Sequence, residues 1–281
     1  MTKNDILIIG VIYNTFTETL RYVESLAAAN TGNITLVLVD NSSQLPDPGF
    51  LQKIKNYPFL HYVVSGENTG YFGGARKGLA IYMQEYPEYP RWILVTNVDI
   101  AFTPDFFRQL EGITLNPLTG IVAPAIISQR WKTDYNPQLM KRPPKSKIIF
   151  YKLLYSNYLI QNIYFLGSYF KRWLQGKFSS SGHKSFSQIH SGTRIYAPHG
   201  SCLVFAGSYF LRGGTLNLPH FLFGEEIVLA ETIRNIGLEV IYHPELVIHD
   251  YEHASTGFLI TPETNRYYRE SIRTILEKYY N

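Results

Sequence analysis

Three stretches of this chain are apolar almost without interruption: residues 6–12, 35–39 and 92–96. A strand with one face in water alternates apolar and polar residues, whereas runs like these belong to strands covered on both faces, as in a parallel sheet sandwiched by helices. The intervening segments carry helical patterns. Thr15-Phe16-Thr17-Glu18 matches a capping box, followed by Leu20, Val23, Leu26 and Ala27 at helical spacing. Residues 62–64 read as a short third strand, 74–86 as a second helix, and the Asn-, Ser- and Pro-rich residues 41–49 as a loop. Thr103-Pro104 predicts an N-cap with proline at the first helical position. This alternation implies an α/β fold that binds its ligand at the carboxyl ends of the strands.

The pattern breaks over residues 128–191. Between Arg142-Pro143-Pro144 and residues 179–182, Ile149, Leu153, Tyr155, Leu159, Ile163 and Leu166 recur at helical intervals. Residues 148–170 are long enough to span a bilayer, but Lys152, Asn157, Gln161 and Asn162 interrupt them, and a central Lys alone costs about 2.5–3.5 kcal/mol on insertion. The expectation is an inserted helical region that lies at an interface, packs against another subunit, or packs on its own domain. Strand and helix patterns return afterwards. Residues 201–206, 239–243 and 246–249 read as strands, 226–236 as a helix closed by Gly237, and 262–280 as a polar C-terminal helix.

Charge is distributed unevenly. Residues 135–224 contain eleven Lys/Arg and no Asp or Glu, so this segment carries +11 and the rest of the chain −7. Such a segment attracts phosphates, nucleic acid or an anionic membrane surface. With 45% hydrophobic and 17% charged residues, a disordered or collagen-like chain is excluded. The single Cys202 forms neither an internal disulfide nor a Cys-based zinc site, which fits a reducing compartment. Residues 6–13 follow Asp5 directly and read as a buried first strand rather than a signal segment, so a cytoplasmic location is expected.

The residues suited to chemistry sit at strand ends. Asp40, followed by Asn41-Ser42-Ser43, can accept hydrogen bonds from a base or ribose, or close an Asx turn. Asn68-Thr69-Gly70-Tyr71-Phe72-Gly73-Gly74-Ala75-Arg76-Lys77-Gly78 leads from a strand end into a helix. Its glycines, helix N-terminus and two cations suit a diphosphate, although an ordinary glycine-rich turn would look the same. It is neither a P-loop nor a dinucleotide fingerprint, which argues against a dinucleotide-dependent oxidoreductase. Asn97-Val98-Asp99 places two oxygen-bearing side chains at i, i+2, suited to a hard divalent ion that takes its other ligands from phosphate and water, or to a turn. Glu225-Glu226 open a helix after the apolar run 220–224, as dipole complements or with one acting as general base. His249-Asp250-Tyr251-Glu252-His253 fits a zinc-peptidase pattern, but its surroundings are strand and loop rather than the helix that chemistry needs.

In their order and spacing, these features resemble the family 2 glycosyltransferases of GT-A fold, in particular bacterial rhamnosyltransferase-like members. The resemblance covers residues 6–125 and 194–256. It rests on Tyr13-Asn14, Asp40-Asn41-Ser42-Ser43, the 68–78 loop, Asn97-Val98-Asp99, His199-Gly200-Ser201, and Phe223-Gly224-Glu225-Glu226 with His249 twenty-three residues beyond.

The resemblance implies a single GT-A domain over residues 1–281, a Rossmann-like mixed sheet flanked by helices, with a basic helical insertion at 128–191 and a C-terminal helix at 258–281. It implies an inverting enzyme that moves a sugar from a UDP- or dTDP-sugar to a hydroxyl of a surface polysaccharide or lipid-linked glycan. Asp40 would bind the donor base. Tyr13, Asn14, Asn41, Ser42, Asn68, Gly70, Gly73, Gly74, Arg76, Asn97, Val98, Gly200 and Ser201 would surround the donor. Asp99 and His249 would hold Mg²⁺ or Mn²⁺, and Glu226 would be the base with Glu225 as its rival. Asn97 stands where the strict metal motif has an acid, and Glu226 where Asp is more usual. The basic insertion would hold the enzyme peripherally on the inner face of the plasma membrane. Nucleic acid is not an expected partner, and the insertion and C-terminal helix are candidate contacts of a homodimer. The competing reading is a catalytically inactive nucleotide- or glycan-binding protein on the same fold.

Overall fold

The computed structural model describes residues 5–30, 32–178, 189–218, 223–251 and 260–280. The first half runs β1 (Ile6–Ile12), α1 (Phe16–Ala29), β2 (Ile34–Asp40), α2 (Pro48–Ile54), β3 (Leu60–Val64), α3 (Gly70–Glu85), β4 (Trp92–Asn97), β5 (Ile100–Phe102), α4 (Phe106–Gly112) and β6 (Thr119–Ser128). It continues through α5 (Lys145–Leu154), α6 (Tyr158–Phe178), β7 (Thr193–Ile195), β8 (Cys202–Ala206), α7 (Gly207–Leu211), α8 (Glu225–Asn235), β9 (Glu239–Asp250) and α9 (Pro262–Tyr279).

The strands form one mixed sheet in the order β3-β2-β1-β4-β8-β6-β9-β5, with β7 added to β9. Strands β3, β2, β1 and β4 run parallel, β8 is antiparallel to both neighbours, and β6 and β9 are parallel to each other. The two-residue period of a strand sorts its side chains between the two faces. Ile6 and Ile8 of β1, Leu36 and Leu38 of β2, and Trp92 and Leu94 of β4 pack with α1, α2 and α4 on one side. Leu7, Ile9, Val37, Val39, Ile93 and Val95 pack with α3, α7 and α8 on the other. The uninterrupted apolar runs therefore feed two cores at once. A third, smaller core joins Ile148 of α5, Val228 of α8, and Ile272 and Ile275 of α9.

Several local features differ from the sequence pattern. Thr15 is the N-cap of α1, but its side chain makes no capping bond; its carbonyl instead accepts from the Thr19 amide and hydroxyl. The helix expected at Thr103-Pro104 begins at Phe106, because Thr103 Oγ1 donates to the Val247 carbonyl and ties the turn to β9. The loop 41–49 ends earlier than expected, since Asp47 caps α2 by accepting from the Phe50 amide at 3.0 Å. The two strands at 239–249 are one strand with a bulge, where the β6 partner jumps from His243 to Val247 between Pro124 and Ala125. The inserted segment is two helices rather than one, and Asn157 Oδ1 accepts from the Leu159 amide at the break.

Candidate active site

The strand order reverses at β1, which has β2 on one side and β4 on the other, so the loops leaving their carboxyl ends part and open a crevice. A cavity of about 350 Å³ fills it. Val11 and Tyr13 at the end of β1 and Asn97 at the end of β4 form the floor.

On the β2 side the wall is polar and tied to itself. Asn41 Nδ2 donates to the Gly70 carbonyl at 2.9 Å, and Asn68 Oδ1 accepts from the Gly70 amide at 3.0 Å, which fixes the start of α3. Asp40 is buried behind this wall, with one carboxylate oxygen accepting from the Ser42 amide at 2.8 Å and the other from the Tyr62 hydroxyl. Asn14, in the left-handed region at φ 56°, donates its amide to Ser42 Oγ at 2.8 Å and so links the loops after β1 and β2.

Two glycines of α3 serve the sheet. A Cβ at Gly74 would lie 2.9 Å from Val11 Cγ1, and one at Gly78 would lie 2.6 Å from Ile9 Cγ2, so these positions let the helix rest on β1 and β2. A Cβ at Gly73 would meet Thr69 of the preceding turn at 2.7 Å. Arg76 is exposed and donates to Asn217 Oδ1 at 2.8 Å, while Lys77 Nζ donates to the Ser65 carbonyl at 2.8 Å. Both cations are thus engaged away from the cavity.

At the far end of the floor, Asn97, Val98 and Asp99 turn between β4 and β5 and all reach the cavity. The Asn97 amide donates to the Ser201 carbonyl at 3.0 Å, and the Asp99 carbonyl accepts from the Tyr251 amide at 3.1 Å, so backbone bonds hold both ends of the turn. Ser201 Oγ in turn donates to buried Asp250 Oδ2 at 2.9 Å. His199 lines the cavity and stacks on Tyr135, and its Nδ1 accepts from the Ser201 amide at 3.3 Å, which places the hydrogen of a neutral ring on Nε2.

His249 lies within β9, opposite Ala101 and Ile127, and is absent from the cavity lining. Its Nδ1 is 2.9 Å from Gln129 Nε2, while Lys132 Nζ donates to Gln129 Oε1 at 3.0 Å. Burial first and Lys132 second lower the His249 pKa. Among the described residues no group of three or more His, Cys, Asp or Glu side chains is placed to hold a metal ion. The peptidase-like pattern begins here on a strand; its Glu252 and His253 lie outside the described residues.

The opposite wall is the start of α8. Glu225 and Glu226 both face the cavity, and a Cβ on Gly200 would stand 3.4 Å from Glu226 Oε1, so that carboxylate lies across from the 199–201 loop. Burial, and then the charge of Glu226, push the Glu225 carboxyl up to about 8. The backbone leading into this pair is unusual. Phe223 and Gly224 are both left-handed, at φ 69° and 76°, and a non-glycine residue there stores strain. Helix α9 holds the turn from behind. Ser271 Oγ donates to the Phe223 carbonyl at 2.7 Å, and the Tyr268 ring stacks on Phe223 with centroids 3.7 Å apart.

Tyr13, Asn41, Asn68, Gly70, Asn97, Val98, Asp99, Gly200, Ser201, Glu225 and Glu226 therefore share one cavity. Asn14, Asp40, Ser42, Gly73, Gly74, Arg76 and His249 stand outside its lining. Tyr71 of the glycine loop, His199 of the His199-Gly200-Ser201 motif and Phe223 before the acid pair line it as well. Tyr71 is held by its hydroxyl, which donates to the Gly200 carbonyl at 2.9 Å; its position inside the glycine loop was the available signal.

Comparison with known proteins agrees with this fold. Residues 7–173 match the family described as Glycosyl transferase family 2. The low-salt glycan biosynthesis hexosyltransferase Agl10 of Haloferax volcanii is 24% identical over 218 residues, 78% of this chain and 59% of the relative. Among solved structures, the mannosyltransferase PcManGT of Pyrobaculum calidifontis, in complex with GDP-Man and Mn²⁺, superposes with a TM-score of 0.52 at 15% identity, over 92% of this chain and 59% of that one. TarS of S. aureus gives a TM-score of 0.55 at 9% identity, over 96% of this chain and 39% of that one. This chain thus spans about three fifths of the length of Agl10 and PcManGT and less of TarS. The mixed sheet flanked by helices is the GT-A fold.

Proposed function

Because this chain belongs to glycosyl transferase family 2, we propose that its cavity binds a nucleoside-diphosphate sugar and transfers the sugar, with inversion, to a hydroxyl of a glycan or lipid-linked glycan. The supporting observation is that one cavity gathers the Asn97-Val98-Asp99 turn and the Glu225-Glu226 pair at the sheet's reversal point. UDP- or dTDP-sugars are the proposed donors. Tyr13, 40% exposed at the end of β1, offers a ring face to the base. Each carboxylate oxygen of Asp40 accepts one bond, from the Ser42 amide or the Tyr62 hydroxyl, and keeps a second acceptor position for a base.

The donor set fits a hard divalent ion that arrives with the donor. Magnesium-like ions use one or two carboxylates and take the remaining ligands from phosphate and water. Asp99 supplies one carboxylate and Asn97 an amide oxygen at the same turn. Bound Mg²⁺ or Mn²⁺ would offset the charge developing on the departing diphosphate.

Glu226 takes the proton from the acceptor hydroxyl, whose oxygen attacks the anomeric carbon as the bond to the diphosphate breaks on the opposite face. Burial first and the charge of Glu226 second raise the Glu225 carboxyl, and because the two carboxylates titrate as a pair, Glu225 stays the rival for the base.

Calorimetric titration with UDP, dTDP, GDP and NAD, each with and without Mn²⁺, tests the donor half. Binding of one pyrimidine diphosphate, strengthened by Mn²⁺, is the expected result. Absence of nucleotide binding in every condition would remove the basis for the Asp99 and Asn97 roles.

A further inference from the structure

Helix α6 is amphipathic with its faces reversed. Its polar side chains point into the protein: Gln161 is fully buried and accepts from Asn265 Nδ2 at 2.6 Å. Asn162 exchanges two hydrogen bonds with the Ile260 backbone, at 2.9 and 2.8 Å. Phe165 packs inward on Tyr268, but Leu159, Ile163, Leu166 and Phe170 follow one another on one exposed face, and Ile163 is 70% exposed. On α5, Ile149, Phe150 and Leu153 are exposed as well, with Leu153 at 66%. A helix facing water would carry the opposite pattern, so this face is shaped for an apolar environment.

The charges around it restrict that environment. Lys145, Lys147 and Lys152 are exposed on α5, and no Asp or Glu occurs anywhere in residues 135–224. A second copy meeting this face across a twofold axis would set lysines against lysines, with no acid in the segment to pair them. An apolar stripe rimmed by cations matches an anionic lipid surface, where alkyl side chains enter the acyl boundary and ammonium groups stay with the headgroups. No helix among the described residues is long and apolar enough to cross a bilayer. At 21 residues, α6 would extend about 31 Å along the surface.

We propose that the outer face of α5 and α6 docks this protein on the surface of an anionic bilayer, with both helices lying in the plane of the interface. Docking is independent of the reaction proposed for the cavity, because it is read without turnover.

The test is co-sedimentation of the full chain with vesicles of phosphatidylcholine alone and of phosphatidylcholine with phosphatidylglycerol. The fourfold variant Leu153→Ser, Leu159→Ser, Ile163→Ser and Leu166→Ser, checked for native circular dichroism, is run beside it. The wild type should partition at least tenfold more strongly onto the anionic vesicles, and the variant should lose that partitioning. Should the variant fail to fold, the triple charge reversal Lys145→Glu, Lys147→Glu and Lys152→Glu should abolish the preference for anionic vesicles. Wild-type protein left in the supernatant with both lipids would overturn the proposal, as would equal sedimentation of a folded variant. A wild-type dimer that ignores vesicles and is split by the serine substitutions would overturn it in favour of a second copy.

Discussion

The two walls of the cavity are held together in different ways. The wall at the ends of β1 and β2 is a local mesh: Asn14, Asp40, Asn41 and Asn68 each bond to partners within the same loops or the adjacent strand and helix start. The wall at α8 is held from a distance. Two consecutive left-handed residues aim Glu225 and Glu226 into the cavity, and the groups fixing them, Tyr268 and Ser271, lie more than forty residues further along the chain. A mesh tolerates the loss of one strand of its weave, whereas a strained turn with one brace transmits every disturbance to the carboxylates it presents.

Substitutions on the two walls should therefore have unequal consequences. Glu226→Gln is expected to lower turnover by about 10²–10⁴-fold while leaving nucleotide affinity in calorimetry unchanged; unaltered turnover would end its assignment as the base. Next comes the proton on Glu225. Its folded pKa is raised from 4.5 to about 8, so between these values the folded chain holds more protons than the unfolded one, and stability falls as pH rises through that window. The slope is at most about 1.4 kcal/mol per pH unit. Urea midpoints at three pH values between 5 and 8 should decline for the wild type and flatten for Glu225→Gln.

Smaller effects follow at the brace. In Gly224→Ala the new Cβ would run into Ser271 Oγ on a backbone that L side chains rarely adopt, costing about 1–3 kcal/mol in thermal denaturation and reducing turnover. Ser271→Ala removes only the hydrogen bond to the Phe223 carbonyl, worth about 0.5–1.5 kcal/mol. It should lower kcat without moving nucleotide affinity. The mesh supplies the contrast: Asn14→Gly keeps the positive φ and loses exposed side-chain bonds to Ser43 and Gln44. A stability change within about 0.5 kcal/mol and unchanged turnover are expected. Equal sensitivity of the two walls would refute the distinction between them.

The same contrast explains what the sequence disclosed. Strands β1, β2 and β4 were readable because burial on both faces leaves an unbroken apolar run, and their order implied a crevice at their ends. Asp99 and the acid pair were readable because a strand end and a helix start each leave a local signature. The role of the 68–78 glycines was not, since close approach to a phosphate and close approach to a sheet ask for the same residue; only the distances from Gly74 to Val11 and from Gly78 to Ile9 separate the two. Nothing local marks Tyr268 or Ser271 as supports of Phe223, since their relation exists only after α9 folds back. Periodicity likewise revealed the apolar stripe of α6 without saying which side faces the protein. That depended on Gln161 and Asn162 finding Asn265 and Ile260 about a hundred residues away.

Tyr268 has one further consequence. Its ring meets Phe223 on one side and Tyr155, the C-cap of α5, and Phe165 of α6 on others, while Ile148 of α5 is fully buried against α8 and α9. The added helices are therefore not a cassette that can be cut out or exchanged at its two ends. Deleting them would open the small core and strip Tyr268 of its contacts with Tyr155 and Phe165, so a truncated protein would report on a loosened α9 as much as on the missing segment. A chimera between relatives would keep its acid pair in place only if α5, α6 and α9 were transplanted together.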